Sequence, residues 1–254
     1  MIVLEREIGD QLDDLFESVM VGLANMFSEK SKEAKDKNEL ERKLVILPQD
    51  DGLLSRIQWV DDNPYIYLRS DIPTHAIPHI LGTALCHVKQ RIDQFPDALK
   101  NEDEEEPDGV VLARMTLKEF VLSLHAEKMM KSIDFNMDWE DEQRHQGLKD
   151  LLKMLNPEED DGFNNSGHPT LQFFSLIYAK YSLLHPSAMW NGLSKTIKKD
   201  FPTFVQSGEK ILEIINDIGC DDIDSCLKCL IDIRDEIAMR PYTLITDRRD
   251  DSYY

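Results

Sequence analysis

Hydrophobic residues near the start of the chain recur at helical spacing. Between residues 8 and 27 they fall every three or four positions, with Asp and Glu between them. One apolar stripe therefore faces inward, and this predicts an amphipathic helix. The next stretch, 28–42, is charged and nearly free of apolar residues, which is typical of a solvated helix end or a linker.

Three short segments after this linker have the pattern of β-strands. They cover 43–47, 53–60 and 64–69, and turn-forming Asp, Asn and Gly residues separate them. Alternating aliphatic and aromatic side chains between such turns predict an antiparallel meander. Since no other segment shows a comparable pattern, we expect this to be the only sheet of the protein.

Helical patterns dominate the rest of the chain. The segment 78–92 predicts a helix, and an acidic loop follows at 101–109. Thr116 and Glu119 have the spacing of a capping box, which predicts a helix that begins at Thr116 and runs to about residue 133. The remaining predicted helices are 139–155, 170–185, 187–199, 202–218 and 222–238, and a polar loop is expected at 156–169.

The predicted elements define a fold class and a division of the chain. They predict an α+β protein, mostly α, with an N-terminal helix, a small antiparallel sheet and a C-terminal helical bundle. We divide the chain into the N-terminal helix with its charged linker (1–42), a core containing the sheet and the next helices (43–135), and a helical C-terminal region packed on that core (136–254).

Charge and composition limit the classes of function. The chain has 29 Lys and Arg against 49 Asp and Glu, a formal net charge of -20. This charge repels phosphate backbones and anionic lipids, so we expect no direct nucleic-acid binding and no membrane binding. The first residues lack the basic and apolar regions of a secretory signal, and four cysteines are too few for a disulfide framework. We therefore expect a cytoplasmic protein with free thiols.

The cysteines include one C-x-x-C pair. Cys226 and Cys229 fall in a predicted amphipathic helix, and the chain has no second such pair. The sequence therefore favours packed thiols over a redox centre or a metal site. Cys220 is close enough in sequence to pair with either of them on oxidation.

The helix predicted at 78–92 contains the remnant of a catalytic motif. In H-E-x-x-H, two histidines one turn apart bind a zinc ion and the glutamate polarises the attacking water. Aligned on His87, the first-ligand position holds Thr83 and the general-base position holds Ala84. Thr is a poor zinc ligand and Ala accepts no proton, so we expect hydrolysis by this mechanism to be lost.

The strand at 64–69, a short loop and this helix follow one another in an order that resembles minimal zincin metallopeptidase domains. The similarity covers most of residues 43–240 and continues through Leu124-His125-Ala126-Glu127 and Ile133-Asp134-Phe135. The domains that the chain resembles are bacterial and of uncharacterised or regulatory function. This resemblance implies a degenerate zincin-like core at 43–135, with the helix at 78–92 as its former active-site helix.

Other side chains could replace the lost ligands. His79 shares a helix face with Thr83 and His87, but it lies about 12 Å from His87, too far for two imidazoles to share one zinc. The family takes a further ligand from a later helix, so a site formed by His87 with His125 or Glu127 stays open. We expect no cofactor, and the zinc candidates are His79, His87, His125 and Glu127.

The expected function follows from the site and not from the scaffold. A scaffold without its catalytic groups favours a non-catalytic regulatory protein that binds a protein or peptide, held in the cleft between the sheet and the helix. Two alternatives stay open. One is a divergent metallopeptidase or metallohydrolase with relocated zinc ligands, and the other is an acidic protein that occupies a basic nucleic-acid-binding surface of its partner.

Overall fold

The computed structural model of the protein describes residues 1–31, 43–155 and 167–254. Within these ranges the fold is α+β and mostly helical, which confirms the predicted fold class. The predicted linker 28–42 and the predicted loop 156–169 lie partly outside the described residues. No helix in the described part of the chain has the length and apolar composition needed to span a membrane.

The secondary structure elements are named here in chain order. The helices are α1 (Asp13–Ser31), α2 (Ile77–Ile92), α3 (Val110–Met129), α4 (Asp138–Lys153), α5 (Pro169–Leu184), α6 (Ser187–Asp200), α7 (Pro202–Ile218) and α8 (Ile223–Glu236). The strands are β1 (Ile2–Val3), β2 (Arg6–Glu7), β3 (Val45–Gln49), β4 (Ser55–Val60), β5 (Asn63–Arg69), β6 (Asp97–Lys100), β7 (Thr243–Asp247) and β8 (Ser252–Tyr253).

The chain forms two compact units, and each is built from two stretches of sequence. Unit 1 contains Met1–Gln94 and Ala126–Trp139, and unit 2 contains Phe95–His125 and Glu140–Tyr254. The core of unit 1 is formed by aliphatic side chains of α1, α2 and β5, including Val19, Leu81 and Ile66. Burial of these side chains holds the amphipathic face of α1 against α2 and the sheet.

The sheet of unit 1 is mixed, so the predicted antiparallel meander is wrong for its first strand. The strand order is β3-β5-β4, in which β4 is antiparallel to β5 but β3 runs parallel to it, with Val45 opposite Tyr65. Alternation of apolar and polar positions shows which face of a strand is buried. Because the alternation is the same in parallel and antiparallel strands, it could not predict the direction of β3. β5 takes the central position, where Ile66 and Leu68 are buried on one face.

The prediction of a single sheet is also wrong. β6, β7 and β8 form a second sheet in unit 2, with Ala98 opposite Ile245, and β1 and β2 form a short hairpin. The members of the second sheet are two to five residues long and come from distant parts of the chain. Alternation in such short segments does not show which distant segment pairs with them.

Two predicted helix starts are corrected by the structure. α1 begins at Asp13, and Ile8 lies before it, close to the β1–β2 hairpin. α3 begins at Val110, so Thr116 lies inside the helix, where it is buried, and does not cap it. Gly109 just before α3 has a φ of 90°, a conformation that favours glycine and separates the helix from the acidic loop.

The predicted C-terminal helical bundle is confirmed in unit 2. α5, α6, α7 and α8 begin and end within a few residues of the predicted positions. Asp97 on β6 is buried and forms ion pairs with Lys118 on α3 and with Arg248 after β7. Burial raises the pKa of this carboxyl, but the two cations outweigh it, so the pKa of Asp97 lies below its usual value.

Gly208 on α7 lies where α7 closely approaches α5. A Cβ atom at this position would lie 2.5 Å from Cδ1 of Tyr178 and 3.1 Å from the carbonyl oxygen of Ser175. Gly192 on α6 provides a comparison, because a Cβ there meets no atom within 4 Å. The same substitution at these two helical glycines should therefore have opposite effects.

We expect Gly208→Ala to lower the free energy of unfolding by about 1–3 kcal/mol, since α5 and α7 must shift to admit the methyl group. Gly192→Ala should raise it by about 0.5–1 kcal/mol, because alanine has the higher helix propensity. Urea denaturation followed by circular dichroism measures both variants. Two changes of the same sign would contradict the close packing of α5 on α7.

Candidate functional site

The helix predicted at 78–92, which the zincin-like resemblance makes a former active-site helix, corresponds to α2. It begins at Ile77, one residue before the predicted start, and most of its circumference is buried in unit 1. Pro78 occupies its first turn, where a missing backbone N–H costs nothing, and Lys89 and Arg91 in its last turn complement the helix dipole. No side chain caps its N-terminus at Ala76.

The first-ligand and general-base positions on α2 carry no acid–base group. Ala84 is fully buried, and Thr83 is half-buried with its hydroxyl donating a hydrogen bond to the carbonyl oxygen of His79 at 3.1 Å. Nδ1 of His87 lies 2.8 Å from Oε1 of Gln90, one turn further along. The Thr83 hydroxyl is therefore used within the helix, and Ala84 offers nothing that could activate water.

The structure brings two of the predicted zinc candidates together. Nε2 of the buried His79 lies 3.3 Å from a carboxylate oxygen of Glu127 on α3, within unit 1. The edge of the Phe135 ring packs on the same imidazole, with ring centroids 5.2 Å apart. His125, two residues before Glu127, packs instead on Phe95 with centroids 4.5 Å apart. Within the described ranges, no group of three or more His, Cys, Asp or Glu side chains is arranged to hold a metal ion.

A cleft of about 800 Å³ opens in unit 1 beside the start of α2. Its apolar lining comes from Ile8, Pro78, Phe135 and Met137, and its acidic lining from Glu7, Asp134 and Asp138; Gln11, Thr74, His75 and Asn136 complete it. We call this feature the acidic cleft. It lies at the N-terminal end of α2, whereas the sequence suggested the cleft between the sheet and the helix.

The three carboxylates of the acidic cleft are exposed. None of them forms an ion pair or hydrogen bond with another residue whose side chain the structure describes (1–26, 43–155 and 167–254). The uncapped N-terminus of α2 contributes a positive charge of only about half a unit, which three carboxylates outweigh. The cleft therefore combines a net negative charge with apolar side chains in its lining, and sequence analysis did not identify it.

A second group of side chains that the sequence did not reveal lies in unit 2. Nδ1 of His145 on α4 is 3.1 Å from Nε2 of His185, which follows α5, and the two rings stack. His185 is only 8% exposed, and its Nδ1 has no hydrogen-bond partner among the described residues. Burial, His145 and the Arg144 guanidinium lower the pKa of His185 to about 4.

The low pKa of His185 predicts acid-sensitive stability. The unfolded chain binds a proton below about pH 6.5, whereas folded His185 does not until about pH 4. The contribution of His185 to stability therefore falls as the pH falls through this window, by at most about 2 kcal/mol between pH 7 and pH 5. Urea denaturation at both pH values measures the loss. His185→Gln should remove about this amount of the pH dependence, and an unchanged pH profile would contradict the assigned pKa.

The cysteines of the C-x-x-C pair are packed thiols, as the sequence favours. Cys226, Cys229 and Cys220 are all buried in the core of unit 2. Hydrogen bonding with Cys220 and burial both raise the pKa of the Cys229 thiol above its usual value. All four cysteines of the chain, including Cys86 on α2, are free thiols.

Comparison of the chain with protein-family models, with curated proteins and with solved structures finds no match. The resemblance to zincin-like domains therefore stays a prediction from the residues of α2 and the order of the elements around it.

Proposed function

We propose that the protein is a non-catalytic, zincin-like binding protein that holds a basic segment of a partner protein in the acidic cleft. The observation that carries this proposal is the combination of three exposed carboxylates with the apolar side chains of Ile8, Pro78 and Phe135 in the lining of one cleft. Thr83 and Ala84 at the motif positions argue against catalysis by the zincin mechanism.

The acidic cleft suits a ligand that is apolar and cationic at once. Its volume falls within the range of about 300–1,000 Å³ that is typical of binding sites. Lysine and arginine side chains have an aliphatic stem that can cover Phe135 or Met137 while the charged end stays near a carboxylate. A segment in which basic and aliphatic residues alternate would match both kinds of lining.

A pair of synthetic peptides tests this proposal. The first, the Lys-Val peptide, is short and fluorescein-labelled and alternates Lys with Val; the second, the Glu-Val peptide, replaces Lys by Glu. Fluorescence anisotropy should show that the Lys-Val peptide binds and that the Glu-Val peptide does not. Binding should weaken as salt rises from about 0.05 to 0.5 M, because the Debye length falls from about 14 to 4 Å. Equal binding of the two peptides, or of neither, would contradict the proposal.

The contact between His79 and Glu127 supports a second candidate, a metallohydrolase with relocated ligands. An imidazole nitrogen and a carboxylate oxygen 3.3 Å apart are a plausible pair of zinc ligands. If the protein has the proposed binding function, we expect protein purified without added metal to contain well under one zinc per chain. We also expect a chelator to leave its melting temperature unchanged. Stoichiometric zinc that is lost in Glu127→Gln would favour the metallohydrolase.

A further inference from the structure

Three thiols meet where α7 connects to α8 in unit 2. Cys220 lies in this connection, and Cys226 and Cys229 lie one turn apart on α8. The sulfur atoms of Cys220 and Cys229 are 3.7 Å apart, and both residues are at most 1% exposed. Sγ of Cys229 also donates a hydrogen bond to the carbonyl oxygen of Gly219, at 2.9 Å, which holds this sulfur against the connection.

The arrangement needs only a small movement to form a covalent bond. A disulfide has a sulfur–sulfur distance of about 2.05 Å, so the two sulfur atoms must approach by less than about 2 Å. Cys220 is well placed for this movement because it follows Gly219, the residue that ends α7, and precedes Asp222, which caps α8. A change in the connection can therefore move its sulfur without moving either helix.

We propose that Cys220 and Cys229 are a modification site at which a low-molecular-weight disulfide, such as oxidised glutathione, forms a reversible intramolecular disulfide. The Cys220 thiolate attacks one sulfur of the oxidant, and the other sulfur leaves as a thiolate that takes up the proton lost by Cys220. The Cys229 thiolate then attacks the Cys220 sulfur and expels the second small thiol, which is protonated in the same way. The protein loses two protons and two electrons, and the oxidant becomes two thiols.

Access and selectivity both follow from the structure. Burial of the thiols means that the oxidant reaches them when the connection between α7 and α8 opens, so the reaction is slower than that of an exposed cysteine. Hydrogen bonding with Cys220 and burial raise the pKa of the Cys226 thiol as well, so Cys226 is the competing partner. The sulfur–sulfur distance of 3.7 Å between Cys220 and Cys229 makes Cys229 the preferred one.

Peptide mapping distinguishes the possible products. Trypsin cuts after Lys228, so Cys220 and Cys226 share one peptide while Cys229 begins the next. The full chain is treated with oxidised glutathione, its free thiols are alkylated under denaturing conditions, and the digest is analysed by tandem mass spectrometry. We expect the two peptides to be linked through Cys220 and Cys229, with Cys226 and Cys86 alkylated, and we expect a reducing agent to reverse the link.

Two variants test the assignment. Cys226→Ser should keep the linked peptides, whereas Cys229→Ser should lose them; circular dichroism shows whether each variant is folded. A wild-type product joined through Cys226, four alkylated thiols after oxidation, or glutathione adducts without an internal link would each overturn the proposal. The wild-type map alone decides among these outcomes if a serine variant does not fold.

Discussion

Replacing Arg234 by alanine should lower the free energy of unfolding by about 3–5 kcal/mol. Arg234 on α8 is only 2% exposed and is among the largest fully buried side chains of the protein. Its guanidinium donates hydrogen bonds to the carbonyl oxygens of Thr243 and Tyr254 and pairs with Asp235. The substitution leaves a cavity in unit 2 and removes the donors that join α8 to β7 and to the end of the chain.

Arg240 provides the matched control for this prediction. It is exposed and forms no ion pair or hydrogen bond with a described side chain, so Arg240→Ala should change the free energy of unfolding by less than about 0.5 kcal/mol. Urea denaturation followed by circular dichroism compares the two variants. A loss for Arg234→Ala as small as that of the control would show that the buried guanidinium does not organise unit 2 as described.

Neutralising the acidic cleft should weaken binding of the Lys-Val peptide by about 10- to 100-fold at low salt. The variant combines Glu7→Gln, Asp134→Asn and Asp138→Asn, which line the cleft and whose carboxylates have no ion-pair or hydrogen-bond partner among the described side chains. A charge pair at about 4 Å contributes about 1 kcal/mol in water, so three pairs reach about 3 kcal/mol before salt screening. Because the carboxylates are exposed, their loss should leave the fold intact.

The acidic loop at 101–109 offers a control with the same change in net charge. Asp103→Asn, Glu104→Gln and Glu105→Gln alter exposed residues of unit 2 that do not line the cleft. Fluorescence anisotropy should give nearly unchanged affinity for this second triple variant. If both triple variants lose affinity equally, the peptide responds to the net charge of -20 and not to the cleft.

Much of the helical structure could be predicted because a helix is defined by neighbours in sequence. α2, α5 and α7 follow apolar positions at helical spacing, and the structure confirms them. Strand pairing joins distant segments, and alternation does not show the partner or its direction. The parallel pairing of β3 with β5 and the pairing of β6 with β7 were therefore missed.

The candidate sites also divide into those that sequence spacing could predict and one that only the folded chain forms. Thr83 and Ala84 could be located from the spacing to His87. The sequence left Cys220 able to pair with either Cys226 or Cys229, and the structure places the sulfur atoms of Cys220 and Cys229 3.7 Å apart. The acidic cleft could not be predicted, because its lining comes from residues 7–11, 74–78 and 134–138, which only the folded chain of unit 1 brings together. No spacing in the sequence relates these segments.

Backbone amide chemical shifts recorded during titration with the Lys-Val peptide test the central claim most directly. The account predicts that the largest shift changes fall on residues 7–11, 74–78 and 134–138, the segments that line the acidic cleft. It also predicts that these changes disappear when the three cleft carboxylates are neutralised. Shift changes confined to unit 2, or centred on Thr83 and His87, would contradict the claim that the protein binds its partner through the acidic cleft.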